Sequence, residues 1–551
     1  MPNYQHPGIY IEEVPGTRSI QGASTSVAAF VGVTEKAPTT TLPTPTPTLV
    51  TSWNAYTRLF GGLIWYGMTP WAVYEFFLEG GTACYIVSVN QTSTGNGAQA
   101  TATVDKTTFN AASSGLWGNS LQVYICNNTA TPSSNGKTTS TPVFNLQVVV
   151  AASVIDGASS TSSLATQMLA AYVQQNGLTS GPLSNSSSGN GTGNGTNYYV
   201  LESFNGFTDT GLNFTGRINA NSMFIRVATT DGKRPSNTQS PSAFTGGQNP
   251  TWDLFGGVNT LKTVQGLSLL AVPDTVTITD SNGNTNAVKQ GQMINQGLGV
   301  CQELSSLFYA ADPPYGQTVS NVVAFKTGTL QGSSAINSSY GALYYPWTWI
   351  FNPLSNTNVP IPPSGPALAR YAYTDGSVGV WKSPAGVNDG AMRSVVALAL
   401  PLTDSDQDQL NPNGINTLRN LINYGNVIYG ARTVSQDTQW TYVSVRRLFI
   451  FVEQSLKNSL QWVVFEPNDQ ALWAAVTRDV SAFLTTLWQQ GAMFGATAQE
   501  AYFVTCDASN NPPETRMLGQ LYIDIGLAPV YPAEFVVIRI TQKTAGPDSG
   551  S

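Results

Sequence analysis

Nearly continuous apolar runs that alternate with helical patterns constrain the fold of this chain more than any other feature. Residues 27–33 read Val-Ala-Ala-Phe-Val-Gly-Val, and such a run is typical of a strand that is buried on both faces of a sheet. Thr69 and Pro70 form a typical helix start, Gly80 is a typical stop, and an apolar strand follows at residues 84–89. The order strand, helix, strand predicts an α/β unit.

The same alternation returns in the second half of the chain. We predict a strand over residues 266–274, a helix over 293–310, a strand over 342–351 and helical periodicity from 414 to 490. The intervening residues 90–250 are rich in Ser, Thr, Asn and Gly and predict a β-rich insertion. Because 551 residues exceed what one hydrophobic core usually supports, we predict a multidomain α/β, or mixed α+β, fold.

Within the helical region, apolar residues recur every three or four positions, which is typical of helix faces that pack into a core. These residues are Val445, Leu448, Val452, Leu456 and Leu460 on one face, and Leu472, Val476, Val480, Phe483 and Leu487 on another. A packed core explains this pattern better than a cofactor site.

Short β-type segments without an adjacent hairpin partner lie near both ends of the chain. Residues 8–14 lie between two prolines, and residues 534–542 follow two more. An isolated strand leaves its N–H and C=O groups unpaired, and it can satisfy them at the open sheet edge of another copy.

Histidine chemistry is almost excluded, because the single histidine, His6, lies in the N-terminal arm. A Ser-His-Asp or Cys-His nucleophile and a His-based metal site both need this residue inside a folded domain. The four cysteines, at positions 84, 126, 301 and 506, form no CxxC pair, which indicates buried thiols rather than a zinc site or a disulfide framework. We therefore predict no catalytic, cofactor or metal site.

One acidic spacing resembles part of a calcium loop. Asp404, Asp406 and Asp408 are spaced like its first half, but Gln409 and Ile415 stand where the Gly and the closing Glu are expected. A solvated loop or a helix start is the preferred interpretation, and a cation site is the alternative.

The charge balance gives no footprint for nucleic acid, since the formal net charge is −7 and the 24 Lys and Arg residues are scattered. Charged residues make up only 10% of the chain, which indicates a surface that is partly covered by partners. Residues 1–5 lack the features of a signal peptide, and no run of about 20 apolar residues follows. We expect a protein that is made and assembled in the cytoplasm, without membrane insertion.

Residues 7–15 read Pro-Gly-Ile-Tyr-Ile-Glu-Glu-Val-Pro, and this opening resembles the start of contractile tail sheath proteins. Further family-like blocks occur at residues 20–32, 51–53, 60–62, 80–85, 340–347, 362–365, 379–386, 410–416, 430–433 and 445–449. The resemblance covers residues 7–90 and 260–543, and no family-like block is recognised in residues 90–250.

The resemblance implies a sheath subunit, in which stacked hexameric rings surround an inner tube and contract to drive it through a target envelope. It implies as partners further copies of the chain, the inner tube protein, and baseplate and terminator proteins, within a phage virion tail or an injection particle. The family's middle region is described as subtilisin-like in fold, and the missing histidine limits that likeness to architecture.

On this basis the chain divides into five parts. They are an N-terminal linking arm (1–22), an α/β middle domain (23–90 with 260–360), a variable β-rich outer insertion (91–259), a C-terminal sheath core domain (361–528) and a C-terminal linking arm with its tail (529–551). The family's architecture implies that the C-terminal domain lies innermost, against the tube.

The terminal segments are predicted to pair with the C-terminal domain of a neighbouring subunit. The linking residues are Ile9, Tyr10, Ile11, Glu12, Val14, Phe535, Val537, Ile538 and Ile540. Contraction needs rigid domains that rotate about flexible links, and the candidate hinges are Gly16, Pro529 and Pro532. The candidates for contact with the tube are Glu466, Asp469 and Arg478.

Two other functions stay open at the level of sequence. A hydrolase is disfavoured by the single histidine, although spacing alone leaves open carboxylate pairs that meet only in the fold. A β-rich adhesion protein would suit the Ser- and Asn-rich middle, but it does not account for the helical region from 414 to 490.

Overall fold

The structure is a computed structural model that describes residues 19–37, 45–90, 97–128, 143–159, 162–183, 196–208 and 212–539. The predicted N-terminal strand, the hinge candidate Gly16 and Ile540 of the C-terminal strand lie outside these residues. Within the described ranges, no helix combines the length and the apolar character needed to cross a bilayer.

Short strands occur along the whole described chain. They are β1 (Ala28–Gly32), β2 (Thr48–Val50), β3 (Cys84–Ser88), β4 (Thr101–Val104), β5 (Thr107–Ala111), β6 (Leu121–Asn128), β7 (Val143–Ala151), β8 (Tyr198–Thr208), β9 (Ile225–Thr229), β10 (Ser242–Ala243), β11 (Leu269–Ala271), β12 (Phe308–Ala311), β13 (Gly341–Tyr345), β14 (Thr348–Asn352), β15 (Thr357–Ile361), β16 (Val395–Leu398), β17 (Ile415–Leu421), β18 (Gly425–Ile428), β19 (Tyr502–Thr505) and β20 (Asp524–Leu527).

The α-helices lie mainly between these strands, and two long consecutive helices, α12 and α13, follow β18. They are α1 (Trp53–Phe60), α2 (Met68–Leu78), α3 (Ala152–Asp156), α4 (Leu164–Gln175), α5 (Leu212–Asn221), α6 (Leu254–Asn259), α7 (Ala287–Leu304), α8 (Val319–Thr327), α9 (Ser364–Ser377), α10 (Gly386–Asp389), α11 (Asp404–Leu410), α12 (Val443–Ser459), α13 (Gln470–Gln489), α14 (Ala498–Ala501) and α15 (Pro513–Met517).

An eight-stranded sheet forms the centre of the fold, with the strand order β18-β17-β13-β12-β11-β1-β3-β2. The strands from β17 to β3 in this order pair in parallel, and the edge strands β18 and β2 pair antiparallel to their neighbours. Parallel neighbours need crossover connections, and the helices between these strands supply them.

Both faces of the central sheet are buried, as the apolar runs predict. In β1, Ala28 and Phe30 contribute to one hydrophobic core, and Ala29 and Val31 contribute to the core on the opposite face. Helices α2 and α9 cover the first face, and α6, α7 and α8 cover the second. The predicted mixed α/β, multidomain fold is therefore confirmed.

The region between β3 and β11 forms two further sheets. Strands β10, β6, β7 and β8 form one sheet and β4, β5 and β9 form the other. The central layers are the eight-stranded sheet together with the helices that cover it. Aromatic contacts join the β-rich region to these central layers, since the ring of Trp65 lies 5.4 Å from that of Tyr172 and 5.1 Å from that of Phe224.

Two sequence predictions near the middle of the chain are wrong in their boundaries. The single strand over 342–351 is two strands, because Pro346, which has no N–H to donate, separates β13 in the central sheet from β14 in a three-stranded sheet with β15 and β16. The helix over 293–310 is α7, which ends at Leu304, followed by strand β12. In both cases the predicted segment covers two elements of the structure.

Two predictions in the C-terminal third also need correction. Helical periodicity does not extend from 414 to 490, because residues 415–428 contain the hairpin β17–β18 and the long helices begin only at Val443. That hairpin belongs to the central sheet, so the sheet continues beyond residue 360, where the predicted middle domain ends. Residues 534–539, the described part of the predicted C-terminal strand, contain no strand within this single chain.

Candidate assembly interface

The C-terminal unit is built by α12, α13 and the hairpin β19–β20. The predicted apolar faces meet here, because Leu448 and Val452 of α12 share one buried core with Val476 and Val480 of α13. Asp469 starts α13 by accepting the N–H of Leu472 at 2.9 Å, as an N-cap residue does.

The hairpin β19–β20 is a two-stranded sheet whose outer edges have no further strand within the described residues. One face, with Tyr502, Val504, Ile525 and Leu527, packs onto the core of the C-terminal unit. An open strand edge presents a row of N–H and C=O groups to any strand that arrives. The C-terminal unit therefore offers docking edges for extended segments.

An exposed aromatic ring lies on the other face of this hairpin. Phe503 pairs with Gly526 across the two strands, and a Cβ atom on Gly526 would collide with the Phe503 ring. The ring therefore lies over the glycine while 59% of the residue remains exposed to solvent. Such an aromatic–glycine pair fixes the register of a short hairpin.

The C-terminal arm extends away from the body of the subunit. The linking residues Phe535, Val537 and Ile538 are 75–78% exposed, as is Val536. A run of apolar side chains this exposed is unusual in a monomer and indicates a surface that a partner covers.

The N-terminal arm has its root on α12. The backbone N–H of Gln21 donates to Ser459 Oγ at 3.1 Å, and that of Ala23 donates to Ser455 Oγ at 2.8 Å. Ile20, next to these bonds, is buried in the core of the C-terminal unit. The sequence does not single out these two serines, because no local pattern shows that a hydroxyl on a helix accepts a hydrogen bond from a distant segment.

A buried ion pair fixes α12 against the central layers. Arg447 binds Asp375 of α9 in bidentate fashion, with Nη1–Oδ1 at 2.8 Å and Nη2–Oδ2 at 2.6 Å, and both side chains are at most 4% exposed. Arg447 Nη2 also donates to the carbonyl of Thr25 at 2.9 Å. One arginine therefore ties together α12, α9 and the first described residues after the N-terminal arm.

The three candidates for tube contact do not form one cluster. Glu466 is exposed in the connection between α12 and α13, Asp469 caps α13, and Arg478 donates to Asp479 at 3.1 Å. Asp469 and Arg478 are about 13 Å apart along the helix, given a rise of about 1.5 Å per residue. Their role in tube contact stays a prediction.

The described residues also account for the acidic and thiol groups that the sequence singled out. Asp404 and Asp406 lie in the first turn of α11, where Thr403 and Asp406 form a capping box, so the helix start is the interpretation that the structure supports. Burial raises the pKa of the Cys84 and Cys301 thiols. No group of three or more His, Cys, Asp or Glu side chains suited to a metal occurs among the described residues.

Comparisons with known protein families match the second half of the chain. The phage tail sheath protein central domain matches residues 313–434, and the phage tail sheath C-terminal domain matches residues 435–543. Over residues 313–543 the chain is therefore similar to phage tail sheath proteins, which confirms the resemblance that its sequence blocks predict.

Curated relatives carry the same description. The tail sheath protein of Vibrio phage KVP40 is 24% identical over 241 residues, which cover 42% of this chain and 35% of the relative. The tail sheath protein of Enterobacteria phage T4 is 25% identical over 239 residues, with coverage of 43% and 35%. The matched part thus spans about a third of these relatives' own length.

Solved structures share the fold over nearly the whole chain. A chain of the anti-feeding prophage baseplate superposes with a TM-score of 0.54 at 21% identity, covering 98% of this chain and 100% of that one. A chain of an extracellular contractile injection system, the PVC sheath complex in its contracted state, gives a TM-score of 0.54 at 20% identity, with 99% of both chains covered. At these identities the likeness shows the fold alone.

Proposed function

We propose that this chain is the structural subunit of a contractile sheath. Copies assemble as stacked hexameric rings around an inner tube and contract to drive the tube through a target envelope. The observation that carries the proposal is the C-terminal unit, which has open edges on β19–β20 and lies at the root of both terminal arms. The family matches over residues 313–543 support the same function.

The terminal arms link the subunits by strand donation. Residues 8–14 and 534–542 pair with β19 or β20 of neighbouring copies, which satisfies both the open edges and the exposed apolar residues of the arm. Each added backbone hydrogen bond contributes roughly 0.5–1.5 kcal/mol net, so a donated strand contributes several kcal/mol before the cost of ordering it. Linked subunits can then change their packing without separating.

The subunit acts by assembly rather than by catalysis. Its partners are further copies, the inner tube protein, and the baseplate and terminator proteins, and assembly takes place in the bacterial cytoplasm before the particle is used. The domain division belongs to this proposal with its middle domain extended to include β17 and β18, with the C-terminal unit against the tube and the insertion of residues 91–259 on the outside.

Deletion of residues 1–16 tests the proposal. We expect the truncated chain to form no sheath but to remain a folded subunit, because it retains the arm root at residues 19–25 and every core residue in the described part of the chain. The test compares both chains, co-expressed with the tube protein, by negative-stain electron microscopy and circular dichroism. Sheaths of normal length from the truncated chain would refute strand donation by this arm.

A further inference from the structure

The root of the C-terminal arm is held first by the C-terminal unit. The N–H of Ala528 donates to the carbonyl of Ala501 at 2.8 Å, and the carbonyl of Ala528 accepts the N–H of Phe494 at 2.8 Å. Pro529 forms a bridge with Met493 just beyond. The chain up to Pro529 therefore continues the path of β20 and is fixed to the unit that carries the hairpin.

Five residues later the arm is held again, by an ion pair with Arg432. Both Nε–Oε distances between Arg432 and Glu534 are 3.1 Å, and Nη2 donates to Oε2 as well. The two side chains are only 17% and 15% exposed, so solvent screens the pair less than a surface salt bridge. The carboxylate also raises the pKa of the Arg432 guanidinium.

Arg432 is part of the central layers and not of the C-terminal unit. Its N–H donates to Asn416 Oδ1 at 2.7 Å, and Asn416 Nδ2 donates back to its carbonyl at 2.8 Å. Asn416 lies in β17 of the central sheet. Arg432 also falls within the match to the central domain, whereas Glu534 falls within the match to the C-terminal domain. The ion pair therefore joins two domains.

We propose that the Arg432–Glu534 pair is a clasp that fixes the direction in which the C-terminal arm leaves the subunit, and so positions the strand that the arm donates. The inference rests on the proposed function. The free part of the arm begins after Glu534, where exposure of the side chains rises to about three quarters. The pivot is thus at Glu534, and Pro529 and Pro532 lie on the fixed side of it.

A fixed arm direction lowers the conformational entropy that the arm loses when it docks. An arm that leaves the subunit at random loses conformational freedom when it pairs with a neighbour, whereas a preoriented arm has lost part of it already. Arg432 and Glu534 are accordingly positioning residues, and Glu534 is the fixed first residue of the donated segment 534–542.

The first test measures how freely the arm moves in unassembled subunits. A nitroxide label at V536C reports on the arm alone, because the four native cysteines are buried. We expect the label to move faster in Glu534→Gln than in the otherwise wild-type subunit, with unchanged circular dichroism. A label that is equally mobile in both subunits would overturn the clasp.

The second test measures assembly with the tube protein, using charge reversal. We expect Glu534→Gln, Arg432→Glu and Glu534→Arg each to reduce the yield of sheaths roughly fivefold or more, and the double exchange R432E/E534R to restore most of it. The matched control is Lys262→Glu, which breaks the exposed pair with Glu303 and is expected to assemble normally.

The outcomes separate the clasp from the proposed function. Failure of the wild-type chain to form sheaths would count against the proposed function, while label mobility would still report on the clasp. Normal sheaths from the single variants would overturn the positioning role with the function intact. If the double exchange R432E/E534R also fails to assemble, the ion pair is not the basis of the positioning role.

Discussion

A buried glutamate links stability to pH at the level of single residues. The hydroxyl of Ser394 lies within hydrogen-bond distance of the carboxyl groups of Glu75 in α2 and of Glu79, which is 2.7 Å away. Burial raises the pKa of Glu75 from 4.5 to about 8, against the lowering effect of Ser394, and the charge of Glu79 adds to the rise. The folded subunit therefore holds this proton more tightly than the unfolded chain does.

Replacing Glu75 by Gln removes this pH dependence. Because the pKa is raised on folding, the native state loses stability as pH rises from about 4.5 to about 8. We expect Glu75→Gln to be close to wild type near pH 5 and to gain stability relative to it above pH 7, by at most about 1.4 kcal/mol per pH unit. Urea unfolding of unassembled subunits at both pH values measures this, and a difference that does not change with pH would contradict the assignment.

The serines that hold the N-terminal arm root give a second test on single residues. Ser455 and Ser459 accept the N–H groups of Ala23 and Gln21. We expect S455A/S459A to speed hydrogen–deuterium exchange of these two amides roughly two- to tenfold, since each bond contributes about 0.5–1.5 kcal/mol. Ser459→Thr keeps the hydroxyl and serves as the control. Unchanged exchange in the double variant would mean that the arm root is held by its other contacts.

Individual elements differ in how far the sequence predicts them. Local periodicity predicts strands β1 and β3 and the buried faces of α12 and α13. In each case the spacing of apolar residues along the segment shows which faces are buried. Helix α2 begins at Met68, one residue before the predicted cap, because Asp274 accepts the N–H of Met68 at 2.7 Å from a position 206 residues away. No local pattern encodes a cap of this kind.

The candidate site shows the same division. The arms were predicted because a β-type segment without a hairpin partner is visible in the sequence. Their roots were not, since Gln21 and Ser459 are 438 residues apart, and Arg432 and Glu534 are 102 residues apart. Pairings at such separations depend on the tertiary fold, and the exposed state of residues 535–538 becomes visible only once the rest of the chain is in place.

A proline in the arm tests strand donation at the level of one element. Val537 is exposed and has no secondary structure within its own subunit, so Val537→Pro should leave the stability of the subunit unchanged. In a donated strand, proline has no N–H, so the ladder loses the hydrogen bond that this position would donate. We expect no sheaths by electron microscopy, whereas the control Val537→Thr, which suits a strand, should assemble. Normal assembly of the proline variant would argue that the arm docks through side chains alone.

At the scale of the whole molecule, the two arm roots lie on the same C-terminal unit that presents the open edges. The N-terminal root runs along α12, and the C-terminal root follows β20. Each subunit can therefore both donate and accept strands, and such head-to-tail contacts produce rings or helical stacks rather than closed pairs. In the proposed function, the central sheet and the insertion move as bodies about these links when the packing changes.

A cryo-electron microscopy reconstruction of sheaths formed by the full chain on its tube measures strand exchange most directly. We expect β19 and β20 of every subunit to be flanked by residues 8–14 and 534–542 of neighbouring subunits, within stacked hexameric rings. A hairpin whose edges stay open in the assembled particle, or arms that fold back onto their own subunit, would contradict the proposed assembly.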